Sequence, residues 1–135
     1  MKKSSLAIVL LTTLVMASCA GNSESQDAGA LESVPTQYAG LTNPLSADAA
    51  NDGALIFQGY CESCHGPQGR GDGYAGQSLD PKPKDLSKLE AIASDDYLFW
   101  RIAEGKPGTS MVAWRGILED DQIWQVVAFI RTLEP

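Results

Sequence analysis

Cys61-Glu62-Ser63-Cys64-His65 is the stretch of this 135-residue chain most able to do chemistry. Two thiols three residues apart, followed at once by an imidazole, form a C-x-x-C-H run, the signal for covalent attachment of a c-type haem. At the end of a helix this spacing brings both sulfurs to one edge of a porphyrin, where they add across its two vinyl groups. The next residue then projects its imidazole beneath the iron. Two other uses of such a motif fit less well. A dithiol redox site normally follows a strand in a βαβ setting, and no strand pattern precedes this one. A structural zinc needs four ligands, and beyond Cys19 the chain offers two Cys and one His.

His65 is the only histidine, so a second axial imidazole from the same chain is excluded. Of three methionines, Met1 and Met16 fall in a leader-like segment, which leaves Met111 as the candidate for the other face of the iron. It lies in Gly108-Thr109-Ser110-Met111-Val112-Ala113-Trp114, outside any amphipathic stripe, where small residues let a loop cross a flat ligand. A thioether is soft and favours Fe(II), so His/Met ligation raises a haem potential relative to two imidazoles.

These residues need elements to hold them. Residues 1–18 read as an export signal, with Lys2 and Lys3 before an apolar run that is short for a membrane span. The run closes on Met16-Ala17-Ser18-Cys19, similar to a bacterial lipobox, which makes Cys19 the expected site of lipidation. The competing reading is an ordinary signal cut near Ala17 or Ala20, with Cys19 left free. Residues 19–44, rich in Ala, Gly, Ser and Gln, read as a flexible tether, and 45–135 as the folded module. Within the module, helices are expected from Ser46 to Tyr60, over Leu86 to Ile92, from Ser94 to Gly105 and from about Asp120 onward. Nothing alternates with a strand's period. An all-α domain of four or five short helices with this much loop encloses a thin core, so it must be built around a bound group.

Charge narrows the field further. Ten basic residues against 17 acidic ones give a net charge of −7, the opposite of what nucleic acid selects. Removing the leader leaves −9. Between Arg70 and Arg115, however, seven bases meet seven acids, so the loops expected around the haem read as neutral overall.

Over roughly residues 47–133 the module resembles a class I cytochrome c. The resemblance rests on the Gly53–Phe57–Cys61 spacing, the run Cys64 to Gly73, Pro81-Lys82-Pro83-Lys84-Asp85-Leu86, Met111-Val112-Ala113-Trp114 and Gln122-Ile123-Trp124. It implies an all-α cytochrome c fold around one covalent haem c, with Gly53 admitting the last helix and Phe57 meeting an aromatic there, Phe129. It implies that the carbonyl of Pro81 or Pro83 receives the His65 ring N–H. Trp100, Arg101, Trp114 and Arg115 are candidate contacts to the haem propionates; the other reading makes the tryptophans core and the arginines solvated surface. Val112 stands where these relatives usually carry Pro, and Glu119 where a Ser or Thr cap is common.

The expected function is that of a one-electron carrier, not an enzyme, tethered to a membrane through Cys19. The module would serve a respiratory or photosynthetic chain on the periplasmic or outer face of the cell membrane, or at an outer membrane. Expected partners are redox proteins or a membrane respiratory complex, such as the quinol-oxidising alternative complex III, and neither nucleic acid nor a small-molecule substrate. The alternative is a haem-based ligand sensor or weak peroxidase, which requires Met111 to leave the iron.

Overall fold

The computed structural model describes residues 31–135; the expected export signal and Cys19 lie outside the described residues. Five α-helices make up the body: α1 (Ala49–Tyr60), α2 (Glu62–His65), α3 (Leu86–Leu89), α4 (Asp95–Glu104) and α5 (Asp120–Ile130). A single 3-10 turn covers Gly76–Ser78. Among the described residues the only β-type pairing is an isolated bridge between Arg115 and Leu118. The fold class is therefore all-α, as its periodicities predict, with α1 starting at Ala49 instead of at Ser46 and α3 ending three residues early, at Leu89.

The helix ends follow local chemistry. Asp95 and Asp96 sit in the first turn of α4, and Asp120 and Asp121 in that of α5, where the exposed N–H groups favour negative charge. At the start of α5 the Glu119 N–H donates to Gln122 Oε1 at 2.9 Å, so the sequence has a reciprocal partner where a Ser or Thr cap was expected.

Helices α1 and α5 cross in direct contact, and this crossing organises the core. A Cβ on Gly53 would lie 1.9 Å from the Gln125 carbonyl oxygen and 3.1 Å from Phe129 Cβ, so the backbones meet with no side chain between them. One turn on, the Phe57 and Phe129 rings pack with centroids 5.0 Å apart, the pair the resemblance implies. Ile123, Val126, Val127 and Ile130 bury the inner face of α5, and Leu98, Phe99 and Ile102 that of α4. Phe99 stacks on Trp124 at 4.3 Å, joining α4 to α5.

The described residues form one compact unit from Leu31 to Pro135, and residues 31–44, expected within the tether, belong to it. Instead of a loose tether, residues 31–44 lie on the body. Leu31 and Val34 pack against the core, Tyr38 is buried in it, and the Asn43 side-chain amide donates to the Trp124 carbonyl at 2.8 Å. Backbone N–H groups of Gly40 and Asn43 donate to Asp96 and Asp95 at 2.7 and 3.1 Å. The polar composition of this stretch concealed an apolar spacing of three and four at Leu31, Val34 and Tyr38.

Asp96 carries an acid-sensitive part of this docking. The Ser94 hydroxyl and the N–H groups of Gly40 and Tyr97 donate to its carboxylate and hold its pKa below the ordinary value, against the opposing effect of burial. A depressed folded pKa stabilises the fold above about pH 4, the usual carboxylate value, and that contribution is lost as pH falls through the lowered one. Asp96→Asn is therefore expected to flatten the acid limb of a denaturant-midpoint profile below pH 4. An acid limb identical to that of the parent would show that Asp96 contributes nothing to it.

Candidate functional site

The C-x-x-C-H run sits where α1 passes into α2. The Cys61 N–H continues the ladder of α1 to Phe57 at 2.8 Å, and the His65 N–H donates back to the Cys61 carbonyl at 2.9 Å. The Gly-rich loop that follows folds back and caps the motif's own carbonyls. Gly71 donates to His65 at 2.8 Å, Gly73 to Cys64 at 3.2 Å and Ala75 to Ser63 at 2.8 Å. Thiols and imidazole are thus fixed to a backbone whose polar groups are paired.

Met111 reaches the same place from the other end. Gly105 ends α4 at φ +68°, a conformation that suits glycine, and a Cβ there would lie 2.5 Å from the Met111 carbonyl oxygen. Lys106 N–H donates to that oxygen at 2.9 Å, and the Thr109 hydroxyl accepts from Met111 N–H at 3.2 Å. Beyond it, Trp114 and Arg115 donate their N–H groups to Ile102 and Ala103 at 3.1 and 3.0 Å, stitching the loop to α4. Val112 is exposed at this loop, where the resemblance expects Pro.

Between these two arms lies a cavity of about 550 Å³, within the range of small-molecule and cofactor sites. Its wall carries Cys61, Cys64, His65 and Met111, with aliphatic and aromatic side chains from α1, α3, α4 and α5. Burial, aided by the neighbouring Cys64, pushes the Cys61 thiol up to about 12. Burial also lowers the His65 pKa, against a smaller upward effect of the Lys84 backbone. His65 Nδ1 is buried and has no hydrogen-bond partner. Pro81 and Pro83 both line the cavity, yet neither carbonyl receives that nitrogen; the backbone that bears on the ring is that of Lys84, one residue beyond Pro83.

The four candidate propionate contacts divide. Arg101 and Trp114 line the cavity, and Tyr60 joins them there with its ring edge-on to Trp114 at 5.4 Å. Trp100 and Arg115 do not line it. Trp100, one helical step from Arg101, lies beneath the Arg101 guanidinium at 3.7 Å from its ring centroid. Arg115 is taken by acids, at 3.2 Å from Glu104 and 3.1 Å from Asp120. Sequence reasoning missed Leu31, Lys82, Lys84 and Lys106 as lining residues. The expected neutrality of this face also fails in detail, because the charged side chains on the cavity wall are Lys82, Lys84, Arg101 and Lys106, with no carboxylate among them. The acids of the same segment face elsewhere, Asp85 to Lys88, Glu90 and Asp95 to Arg131, and Glu104 to Arg115.

An all-helical body closed around an apolar cavity, with a C-x-x-C-H run on its wall, is the architecture of a c-type cytochrome. Over residues 48–130 the chain matches the family described as cytochrome c oxidase, cbb3-type, subunit III. It is 33% identical over 86 residues to cytochrome c6 of Thermosynechococcus vestitus, across 64% of this chain and 70% of the relative, and equally to cytochrome c6 of Thermostichus vulcanus. Among solved structures it resembles a chain of the Kuenenia stuttgartiensis reducing HAO-like protein complex Kustc0457/Kustc0458. That match has a TM-score of 0.60 and 25% identity, and covers 71% of this chain and 48% of the other, so this chain spans about half its length. The fold also matches the KustC0563 c-type cytochrome, with a TM-score of 0.53, 22% identity, and coverage of 62% of this chain and 99% of that one.

The chain belongs to the cytochrome c family, as a mono-haem member whose cofactor is covalently bound haem c. Its relatives are electron-transfer proteins that work with redox partners, not enzymes in their own right. The residues present fit that group. A largely apolar cavity of sufficient size carries two thiols at attachment spacing, and one buried donor on its wall, Arg101 Nε, lacks a partner within the chain.

Proposed function

We propose that this chain is a lipid-anchored one-electron carrier in which Cys61 and Cys64 form the haem thioethers and His65 and Met111 are the two axial ligands. The observation that carries the reading is the convergence of these four side chains on one apolar cavity from separate arms of the chain. The bound group supplies an iron that cycles between Fe(III) and Fe(II). His65 and Met111 would both hold the iron, which would leave no position for a substrate and suit outer-sphere transfer. The apolar wall would keep water from the group and limit reorganisation around it, and Tyr60 and Val112 line the cavity while exposed to solvent.

Export and lipidation at Cys19 complete the proposal. No helix among the described residues is long and apolar enough to cross a membrane, so attachment is assigned to the acyl chains. With the body starting at Leu31, the twelve residues from Cys19 span at most about 40 Å even when fully extended. The module therefore works close to the membrane surface, which favours a membrane-embedded donor or acceptor, such as a quinol-oxidising complex.

The test is an optical spectrum of the protein matured in an export-competent host, with a pyridine haemochrome and mass analysis of the N-terminus. A thioether-type haemochrome with the weak Met-to-Fe(III) charge-transfer band, on a chain that begins at an acylated Cys19, is the expected result. A haemochrome without that band would remove Met111 from the iron and favour ligand sensing. A chain beginning elsewhere would remove the anchor.

A further inference from the structure

Glu32 stands on the 31–44 segment, far in sequence from the haem motif, yet its carboxylate takes both cations that α4 and the following loop present to the cavity. Oε2 accepts from Arg101 Nη2, and Oε1 accepts from Lys106 Nζ at 2.9 Å. Arg101 is 7% exposed, and the rest of its guanidinium is also constrained. Nη1 reaches the Gly105 carbonyl at 3.4 Å, and the plane lies over Trp100. Nε remains, buried and without a partner, in a side chain on the cavity wall. An unpartnered buried donor of a charged group is costly, so the arrangement calls for an acceptor that the protein chain itself does not provide.

We propose that Glu32 is a positioning residue, which locks the Arg101 guanidinium so that its free Nε–H meets a haem propionate, and thereby links the N-terminal strap to the haem potential. The inference rests on the covalent haem of the family and on the cavity being its site. The chemistry is that of a three-point clamp. Glu32, the Gly105 carbonyl and the Trp100 face remove the freedom of a long side chain, so the remaining donor is pre-aimed at a carboxylate. With the Lys106 ammonium held by the same Glu32 carboxylate, the cluster carries one net positive charge, which a single propionate would neutralise. Lowering of the Glu32 pKa by Lys106 and Arg101 agrees with a carboxylate that stays ionised in this setting.

The experiment is a double-mutant cycle read as midpoint potential, on full-length protein with haem attached, using Glu32→Gln, Arg101→Gln and the pair. Removing the Glu32 charge raises the potential and removing the Arg101 charge lowers it, because negative charge favours Fe(III). If Glu32 acts through Arg101, its effect shrinks markedly in the Arg101→Gln background, and Arg101→Lys, which keeps charge without the fork, does not restore the parent potential. Additive shifts would overturn the proposal and reduce Glu32 to a nearby charge. So would an unchanged potential in Glu32→Gln, even if limited proteolysis showed the strap loosened. A pyridine haemochrome on each variant separates these outcomes from a failure of the haem site, which would abolish the spectrum in the parent as well.

Discussion

Met111→Ala is expected to keep its haem, since the thioethers come from Cys61 and Cys64, but to lose the sixth ligand. The potential should fall by on the order of 0.1 V or more, a fraction of the roughly 0.8 V that axial ligands control. The Met-to-Fe(III) band should vanish, and the reduced variant should bind carbon monoxide where the parent does not. The loop around Met111 is fastened by bonds from Lys106 and Thr109 and by the pairing of Trp114 and Arg115 with α4, so removal of the thioether leaves its course intact. That rigidity is why an open site is expected instead of replacement by a neighbouring group. An unchanged potential would make Met111 a packing residue. Carbon monoxide binding by the parent would show a labile sulfur and bring the sensor or peroxidase reading forward, with exposed Val112 the natural cause.

Gly53→Ala should have the largest effect on stability of any single methyl addition in the described chain. The added carbon falls 1.9 Å from a backbone oxygen of α5, which cannot swing aside as a side chain can. Relief requires the two helices to part, which also loosens Phe57 against Phe129 and the buried face of α5. A loss of about 3 kcal/mol or more is expected, at or above the usual range for overpacking and a large share of a domain's typical 5–15 kcal/mol. Chemical denaturation of the haem-loaded protein measures it. Gly59, where an added Cβ meets nothing within 4 Å, is the control, and Gly59→Ala should be near neutral or slightly stabilising. Equal midpoints for the two variants would refute the close-contact account.

The parts of the site legible in the sequence were those written contiguously. Cys61 to His65 is one run, and its chemistry depends on spacing that a helix end supplies. Met111 was singled out by elimination, because Met1 and Met16 fall in the expected leader, and it does line the cavity. Gly53 and Phe57 were legible through their resemblance to a known helix pairing, and Phe57 does meet Phe129. What the sequence obscured depends on which way a side chain leaves its element. Trp100 and Arg101 are neighbours in the chain but about 100° apart on α4, so only one of them lines the cavity. Arg115 had acids within reach, and ion pairing decided its direction. The strap was hidden for a different reason. Read together with residues 19–30 it shares the composition of a linker, while three apolar residues and Asn43 suffice to dock it on a surface that the later helices had yet to define.

The pairing of α1 with α5 also sets an order of events. The first helix of the body finds its partner in the last, with the whole haem motif and the Met111 loop lying between them in the chain. Closing so long a loop is slow, and it waits until residue 130 has been delivered. A chain threaded through a membrane from its N-terminus therefore emerges with Cys61, Cys64 and His65 already across while their enclosing helix is still to come. In a chain exported as proposed, this order of elements would keep the motif open to attachment until α5 arrives.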